Sequence, residues 1–580
     1  MQNTFSQGSR LLKSRVRIIS IVYLSTLVAA TVLVNPWTNM DPINQPKLIA
    51  LLVGVSFFFP ALIVNLFKKN YLSDFFVLSI FAFLLLYISS AFFRERSTLN
   101  YLWGIHGRST GTLAYLALMM VALFAFLSKQ MLQLNTLLVW FIRTGYFVTS
   151  YAILQFASLD PIGWDSRGQI GFSTLGNINY SSSFMGMTTV AMLGRIMDAR
   201  LSPSGKVWYL SVSAVNAIII YGSGSMQGFV TIATGIALLI FLKTVDSRKV
   251  NFKFMIFLFF FIVGWLTSFV GLYGKGPLST FLRQDTMIFR LDYWNAGVGM
   301  IISSPFRGLG PDEFGSFYRE FRSSEATYRT DPTRFSDSAH NVFIDVGASI
   351  GLIGLIIFLG IFLLTFVRSI SRLKLLEDYK HYIVDFKVAF VVFVVFFLQL
   401  IYSINQIGVT VWGMAFMGIL ARKKTDFENG SITTMRNLNA KKILNRDVRQ
   451  ARRQTSIFYF AALLSFLFVV FIIFPRANND FQFKSAFSRG DFDLMMSMSL
   501  SPFTPDAWGN IVLDRAIAEG RRSESLSLAE KLVSKNDRNY YAWSVIWRHE
   551  DSPIEKRSAA LERMKRLDPK NLEIQRETVK

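Results

Sequence analysis

The stretch Asp337-Ser-Ala-His340-Asn341-Val-Phe-Ile-Asp-Val-Gly347 decides how this chain is read. A long polar loop ends there, and a very apolar run begins at Ile344. His340 stands at the seam, one of only 4 histidines in 580 residues. An imidazole titrates near neutral pH and can serve as a base or a ligand. The seam therefore points to chemistry at the mouth of a membrane helix.

Composition supports the membrane reading. The chain is 52% hydrophobic and 15% aromatic, with 56 Phe and a mean hydropathy of +0.37. Soluble domains of this length do not look like that; multi-span membrane proteins do. There is no cysteine, which excludes disulfides, thiolate metal sites and Cys nucleophiles. A net charge of +23 would suggest nucleic acid in a soluble protein. Here the basic residues lie mostly in short loops between apolar segments, so they report topology and no nucleic-acid partner is expected. The basic N-terminus is not followed by a small-residue cleavage site, so the first apolar segment reads as a retained span.

Apolar runs near bilayer length begin at Ile18, Leu48, Leu72, Thr110, Leu132, Ser181, Val207, Gly228, Phe252, Ile344, Phe386, Val409 and Ile457. The expected fold is all-α and polytopic, with about 12–13 transmembrane helices. Basic clusters alternate between loops: Arg10–Arg17, Lys68–Lys69, Lys129, Arg195–Lys206, Lys243–Lys249, Arg368–Lys374 and Arg422–Arg453. The positive-inside rule makes all of these cytoplasmic. The other loops then face outward. The largest, Gly271–Ala339, lies between spans nine and ten and is charge-balanced, so its side rests on its neighbours.

The expected organisation is a cytoplasmic N-terminus (1–17), a membrane domain (18–420) and a basic cytoplasmic linker (421–455). A final span (456–474) and an external helical tail (475–580) follow. Within the tail, Ala507-Trp508 recurs as Ala542-Trp543, about 35 residues on, a spacing that resembles tetratricopeptide helix pairs. Asn539 and Asn571 close two further related stretches. The plain alternative is a small helical hairpin domain used for docking or stability.

The 271–340 loop holds three notable pieces: Arg290-Leu-Asp-Tyr-Trp294, the turn-rich Ser304-Pro305-Phe-Arg-Gly308-Leu-Gly310-Pro311, and the His340 seam. A guanidinium binds phosphate oxygens in a fork and stays charged. A histidine can take a proton from a hydroxyl nucleophile. The pair suits a phosphate-bearing substrate. Asp337, Asn341 or a backbone carbonyl would orient the imidazole. With one histidine in the loop and no Cys, no metal site and no cofactor are expected.

Several of these motifs resemble the O-antigen ligase and polymerase superfamily of bacterial membrane glycosyltransferases. His340-Asn341-x-x-Ile344 with Gly351-Leu-Ile-Gly354 is similar to the family's histidine motif. Arg290-x-x-x-Trp294, then Pro305-x-x-Gly308-x-Gly310 and Phe314, is similar to the run earlier in its large loop. Gly176-Asn177-Ile-Asn179, Gly107-Arg108-x-x-Gly111-x-Leu113 and Gln155 also fit. The resemblance spans Leu48 to Leu420 and implies a GT-C-like fold with 271–340 as the catalytic loop.

The implied reaction moves a glycan from undecaprenyl diphosphate to an acceptor hydroxyl at the outer face of the bacterial cytoplasmic membrane, inverting and without metal. His340 would orient or deprotonate the acceptor. Arg290 would hold the diphosphate, with Arg108 and Gln227 as further donors, and Asp337, Asn341, Trp294, Asn177 and Asn179 in support. The sequence departs from the pattern at Ser223-Gly-Ser225-Met226-Gln227-Gly228, where Gln227 or Met226 stands in place of an arginine, which Arg108 or Arg167 would replace. Ser349 stands where an acidic residue is usual.

Three acceptors remain open: a second lipid-linked unit, a lipid A–core glycolipid, or a protein Ser or Thr in an O-oligosaccharyltransferase. The tail is a candidate site for a cell-envelope protein partner, and membrane lipids surround the rest. The rival class is a flippase or transporter, which would show mid-span ionisable residues and broken helices. Only Arg143 and Asp74 come near that description.

Overall fold

The structure, a computed structural model, describes residues 2–68, 71–92, 98–129, 131–164, 169–244, 252–272, 275–276, 279, 285–329, 333–376, 380–423, 446–502 and 504–579. All regular structure among them is helical. Arg167 and most of the basic linker lie outside the described residues.

Every segment read as a span falls on a helix. In order these are α1 (Gln2–Val32), α2 (Asn44–Lys68), α3 (Phe75–Phe92), α5 (Thr112–Leu127), α6 (Leu134–Phe156), α7 (Ile178–Ile196), α8 (Pro203–Gly222), α9 (Met226–Thr244) and α10 (Phe252–Leu272), with the short α4 (Thr98–Trp103) before α5. After α11 (Asp285–Ser303), α12 (Phe314–Phe321) and α13 (Ser324–Tyr328) come α14 (Val342–Leu376), α15 (Lys380–Gln399), α16 (Ile407–Leu420) and α17 (Arg446–Arg489).

Among the described residues, 8 helices are long and apolar enough to cross a membrane. Fewer meet that test than the 12–13 spans expected, and for two of the helices packing gives a reason. The apolar α5 and α16 are shorter because they are enclosed by other helices. Every residue of α16 is buried, and in α5 all but Leu113 and Leu116. A helix that meets protein on all sides need not match the bilayer's thickness. The buried stretch of α7 is rich in Ser, Thr and Gly, residues that let helices approach closely.

α14 is broken near its start. Gly351 has φ 80° and ψ 179°, a conformation essentially reserved for glycine. The break frees backbone groups, and the Pro305–Gly310 turn meets them. Leu309 N–H donates to Ala348 O at 2.6 Å, Gly310 N–H to Ser349 O at 3.0 Å, and Leu352 N–H to Pro305 O at 2.6 Å. A Cβ on Gly351 would lie 2.5 Å from Pro305 O, and one on Gly308 2.3 Å from the Ser349 carbonyl carbon. Two motifs far apart in sequence thus form one joint, which fixes the first turns of α14 and the seam before it.

The tail comprises α18 (Phe492–Ser499), α19 (Asp506–Ala518), α20 (Arg522–Lys535), α21 (Tyr540–Arg548), α22 (Ile554–Leu567) and α23 (Leu572–Arg576). Trp508, Val512, Leu528, Leu532, Ala542 and Ile546 centre its own core. Asn539 and Asn571 are N-caps, accepting from Ala542 N and Ile574 N, so their recurrence marks two helix starts.

The tail packs onto the same end of the bundle as the His340 seam. Asp480 accepts Met40 N–H at 3.2 Å. Trp508 Nε1 donates to His106 Nδ1 at 3.3 Å. Arg322 Nη2 meets Asp568 Oδ2 at 2.6 Å with both side chains buried. Arg538 reaches Ser316 O at 3.0 Å and also pairs with Glu320.

Candidate active site

His340 is presented by a strained backbone, with φ 52°, uncommon for a residue with a side chain. The strain is held locally. His340 N–H donates to Ser338 Oγ at 2.9 Å, Ser338 Oγ donates to Asp345 Oδ2 at 2.7 Å, and Ala339 N–H donates to Asp345 Oδ1 at 2.7 Å. Asn341 caps α14, accepting from Phe343 N at 3.0 Å and Ile344 N at 3.2 Å. The cap and Asp345 together turn the chain so that the imidazole leaves the helix sideways, against Tyr293 at 5.7 Å between ring centres. Among the described residues none hydrogen-bonds its ring nitrogens.

Both side chains offered by the sequence as orienters of the imidazole are engaged elsewhere. Asn341 is the cap. Asp337 forms a two-point ion pair with Arg108, Nε to Oδ2 at 3.0 Å and Nη2 to Oδ1 at 2.7 Å. Arg108 Nη1 also donates to Tyr180 Oη at 3.1 Å. Arg108 is thus a paired guanidinium at the wall. Burial opposes its charge, but Tyr180 and Asp337 outweigh that and raise its pKa. Burial likewise opposes the charge of Asp337, yet Arg108 holds its carboxyl below the ordinary value.

Arg290 differs. It lies on α11, one turn from Met287, whose sulfur receives Nη1 at 3.1 Å. No carboxylate pairs with it among the described residues. Its neighbours are the phenols of Tyr180, Tyr402 and Tyr293, and burial lowers its pKa. A half-buried cation faced by phenols has donors to spare for an anion. The two arginines act on His340 as well. Burial first, then repulsion by Arg108 and Arg290, brings its pKa down to about 4, with Asp337 opposing. At neutral pH the imidazole is neutral and able to accept a proton.

The remaining sequence candidates take supporting places. Asn177 caps α7, accepting Asn179 N–H at 2.8 Å, and Asn179 Oδ1 accepts Ser225 Oγ–H at 2.9 Å. This ties the start of α7 to that of α9. Gln227, in the first turn of α9, accepts Ser183 Oγ–H at 3.3 Å and touches neither arginine. Trp294 packs beside Tyr293 and Phe314, and its buried indole N–H has no hydrogen-bond partner among the described residues. Gln155 accepts Ser173 N–H at 2.8 Å, shaping the turn before α7.

Residues missed at the sequence level hold the frame. Asp312 accepts Ile105 N–H at 2.9 Å and Thr110 Oγ–H at 3.1 Å, fastening the loop that carries Arg108. Burial pushes its carboxyl up to about 6 against these bonds. Asp345 supplies a carboxylate one turn before Ser349. A charge in the first turn of so apolar a helix is costly, and that was its available signal. The 399–406 link, with Tyr402 and Asn405, also backs the seam, since Val342 N–H donates to Leu400 O at 2.9 Å.

A cavity of about 280 Å³ opens beside Arg108, walled by Asn44, His106, Asn177, Tyr180, Asn405 and Gln406 among others. A smaller one holds Asp312, Asp345, Tyr87 and Tyr115. Among the described residues no three His, Asp or Glu side chains gather as a metal-binding group.

This geometry meets the comparison with known families at its centre. Residues 210–359 match the model of the O-antigen ligase family. Over this segment the chain is similar to the O-antigen ligase family. The matched span holds Gln227, Arg290, Trp294, His340 and Asn341; Arg108, the α7 cap and the tail lie outside it. No curated protein matches the chain. The match supports a glycosyl-transfer role in O-antigen or polysaccharide synthesis for this multi-pass helical protein.

Proposed function

We propose that this O-antigen ligase family member transfers a glycan from undecaprenyl diphosphate to an acceptor hydroxyl at the outer face of the cytoplasmic membrane. The observation that carries this is Arg290, a guanidinium with no carboxylate partner among the described residues, set beside a neutral His340. The acceptor oxygen attacks the anomeric carbon from the face opposite the diphosphate, whose C–O bond breaks with inversion. Arg290 takes the charge that grows on the leaving oxygens. His340 takes the acceptor's proton. A diphosphate is already a good leaving group, so positioning and charge stabilisation suffice without a metal.

In this reading the N-terminus is cytoplasmic, and the seam, the cavities and the tail are external. His340→Ala and Arg290→Ala are each expected to abolish glycan transfer in cells while leaving the protein's membrane level normal. Surface glycan at wild-type level in both variants would refute the mechanism. Lipid-linked glycan accumulating in a deletion strain then assigns the acceptor: single units for a polymerase, long chains for a ligase.

A further inference from the structure

We infer that the cavity beside Arg108 seats one sugar ring, and that Asn405 is its central ligand. The inference rests on glycan transfer as the reaction and adds where a sugar is held. The volume of about 280 Å³ is at the small end of ligand sites, about 300–1,000 Å³. It admits a single ring and not a polyprenyl chain. The wall offers carboxamides from Asn44, Asn177 and Gln406 and rings from His106 and Tyr180. Sugar hydroxyls both donate and accept, and a carboxamide offers both functions in one side chain.

Most of that wall is already committed. Asn44 Nδ2 donates to Gly107 O at 2.7 Å, Gln406 Oε1 accepts Val409 N–H at 3.0 Å, and Asn177 caps α7. Asn405 is the exception. It is 7% exposed, and among the described residues neither its Oδ1 nor its Nδ2 makes a hydrogen bond of ordinary geometry. The Tyr115 hydroxyl lies beside it without a bond of ordinary geometry. Asn405 faces both this cavity and the one holding Asp312 and Asp345. A buried carboxamide without one well-formed hydrogen bond is rare in a finished fold, and a pair of ring hydroxyls would complete it.

The position suits the reaction. The cavity shares Arg108, the partner of Asp337, with the His340 end of the site. Its rim is fixed from outside by the tail, through Trp508 on His106 and Asp480 on Met40.

The test uses the full-length chain in nanodiscs and diazirine-bearing methyl glycosides of a hexose, an N-acetylhexosamine and a hexuronate. Wild type is expected to be photolabelled within residues 40–44, 176–180 or 404–406. Asn405→Leu should lower that labelling about tenfold, the loss expected from one or two hydrogen bonds. Thermal stabilisation by inorganic pyrophosphate should persist in the variant, since it reads the Arg290 region. Labelling only elsewhere, or undiminished in Asn405→Leu, overturns the proposal. Should Asn405→Leu fail to reach the membrane, the wild-type label map and the milder Asn405→Ser decide in the same way. Pyrophosphate failing to stabilise wild type counts against the diphosphate reading and not against the sugar seat. Competition by purified lipid-linked donor assigns the ring to the donor, and persistence of the label assigns it to the acceptor.

Discussion

Asp568→Ala tests whether the tail is a working part of the site's frame. Asp568 and Arg322 are 0% and 1% exposed and meet at 2.6 Å. Arg322 Nε adds a second contact to Asp568 at 3.2 Å, and Arg319 approaches the same carboxylate at 3.6 Å. Removing the carboxylate breaks this buried ion pair, at a cost of about 3–5 kcal/mol. At 1.36 kcal/mol per factor of ten, the opening equilibrium of this interface rises about 10²–10⁴-fold. Arg538 on Ser316 and Arg319 over Tyr540 remain, so the tail loosens but is not wholly released.

Hydrogen–deuterium exchange on the full chain in nanodiscs reads this directly. Amides of 314–329 and 567–576 should lose protection by that factor, up to the ceiling set by global opening. Transfer activity should fall with them at unchanged membrane level, because the same loop runs on to His340. Arg322→Met with Asp568→Leu should restore protection, since an apolar pair of similar volume often replaces a buried ion pair at little cost. Protection within threefold of wild type in Asp568→Ala would refute the reasoning. So would a double variant as loose as the single one.

Two further outcomes follow from the site and its joint. Arg108→Gln removes the leading charge that holds the His340 pKa near 4 and leaves Asp337 to raise it. Under the proposed mechanism activity needs the neutral imidazole and is lost as pH falls through that pKa, so the acid limb of kcat/KM should move to higher pH; an unmoved limb sinks the assignment. Gly351→Ala puts a side chain at φ 80° with its Cβ 2.5 Å from Pro305 O. A loss of about 2 kcal/mol or more is expected, read as a lower melting temperature and a reduced membrane level, and a neutral result would refute the joint.

The helices were legible because bilayer-length apolar runs leave few alternatives; His340 drew notice as a titratable residue at the end of such a run, and Arg290 through the motif it opens in the outer loop. The caps at Asn177 and Asn341 are local signals, an Asn directly before an apolar helix. What could not be read is pairing across the chain. Arg108 and Asp337 are 229 residues apart, and nothing in either segment names the other. The sequence therefore offered Asp337 to the imidazole, while the fold gives it to a guanidinium. Arg322 and Asp568, separated by 246 residues, hid the tail's docking in the same way. Asn405 looked unremarkable between two apolar runs, and only its unmatched burial sets it apart.

In the proposed reaction, the charges around His340 keep the base weak until the donor arrives. Arg108 and Arg290 both repel an imidazolium, and Asp337 alone opposes them. A bound diphosphate brings negative charge to Arg290, which cancels that repulsion and favours the protonated ring. The proton affinity of His340 then rises as the leaving group docks, so the acceptor hydroxyl is activated only when a glycan is there to receive. The acid limb of kcat reports the complex and that of kcat/KM the free enzyme. The kcat limb should therefore lie at higher pH than the kcat/KM limb, which falls near pH 4 in step with the free-enzyme value. Replacing Arg290 with Gln should draw the two limbs together in whatever residual activity survives, because the variant lacks both the repulsion and the means to bring the anion close. Coincident limbs in the wild type would show that donor binding leaves the imidazole unchanged, and His340 would then be an acceptor-orienting group and not the base.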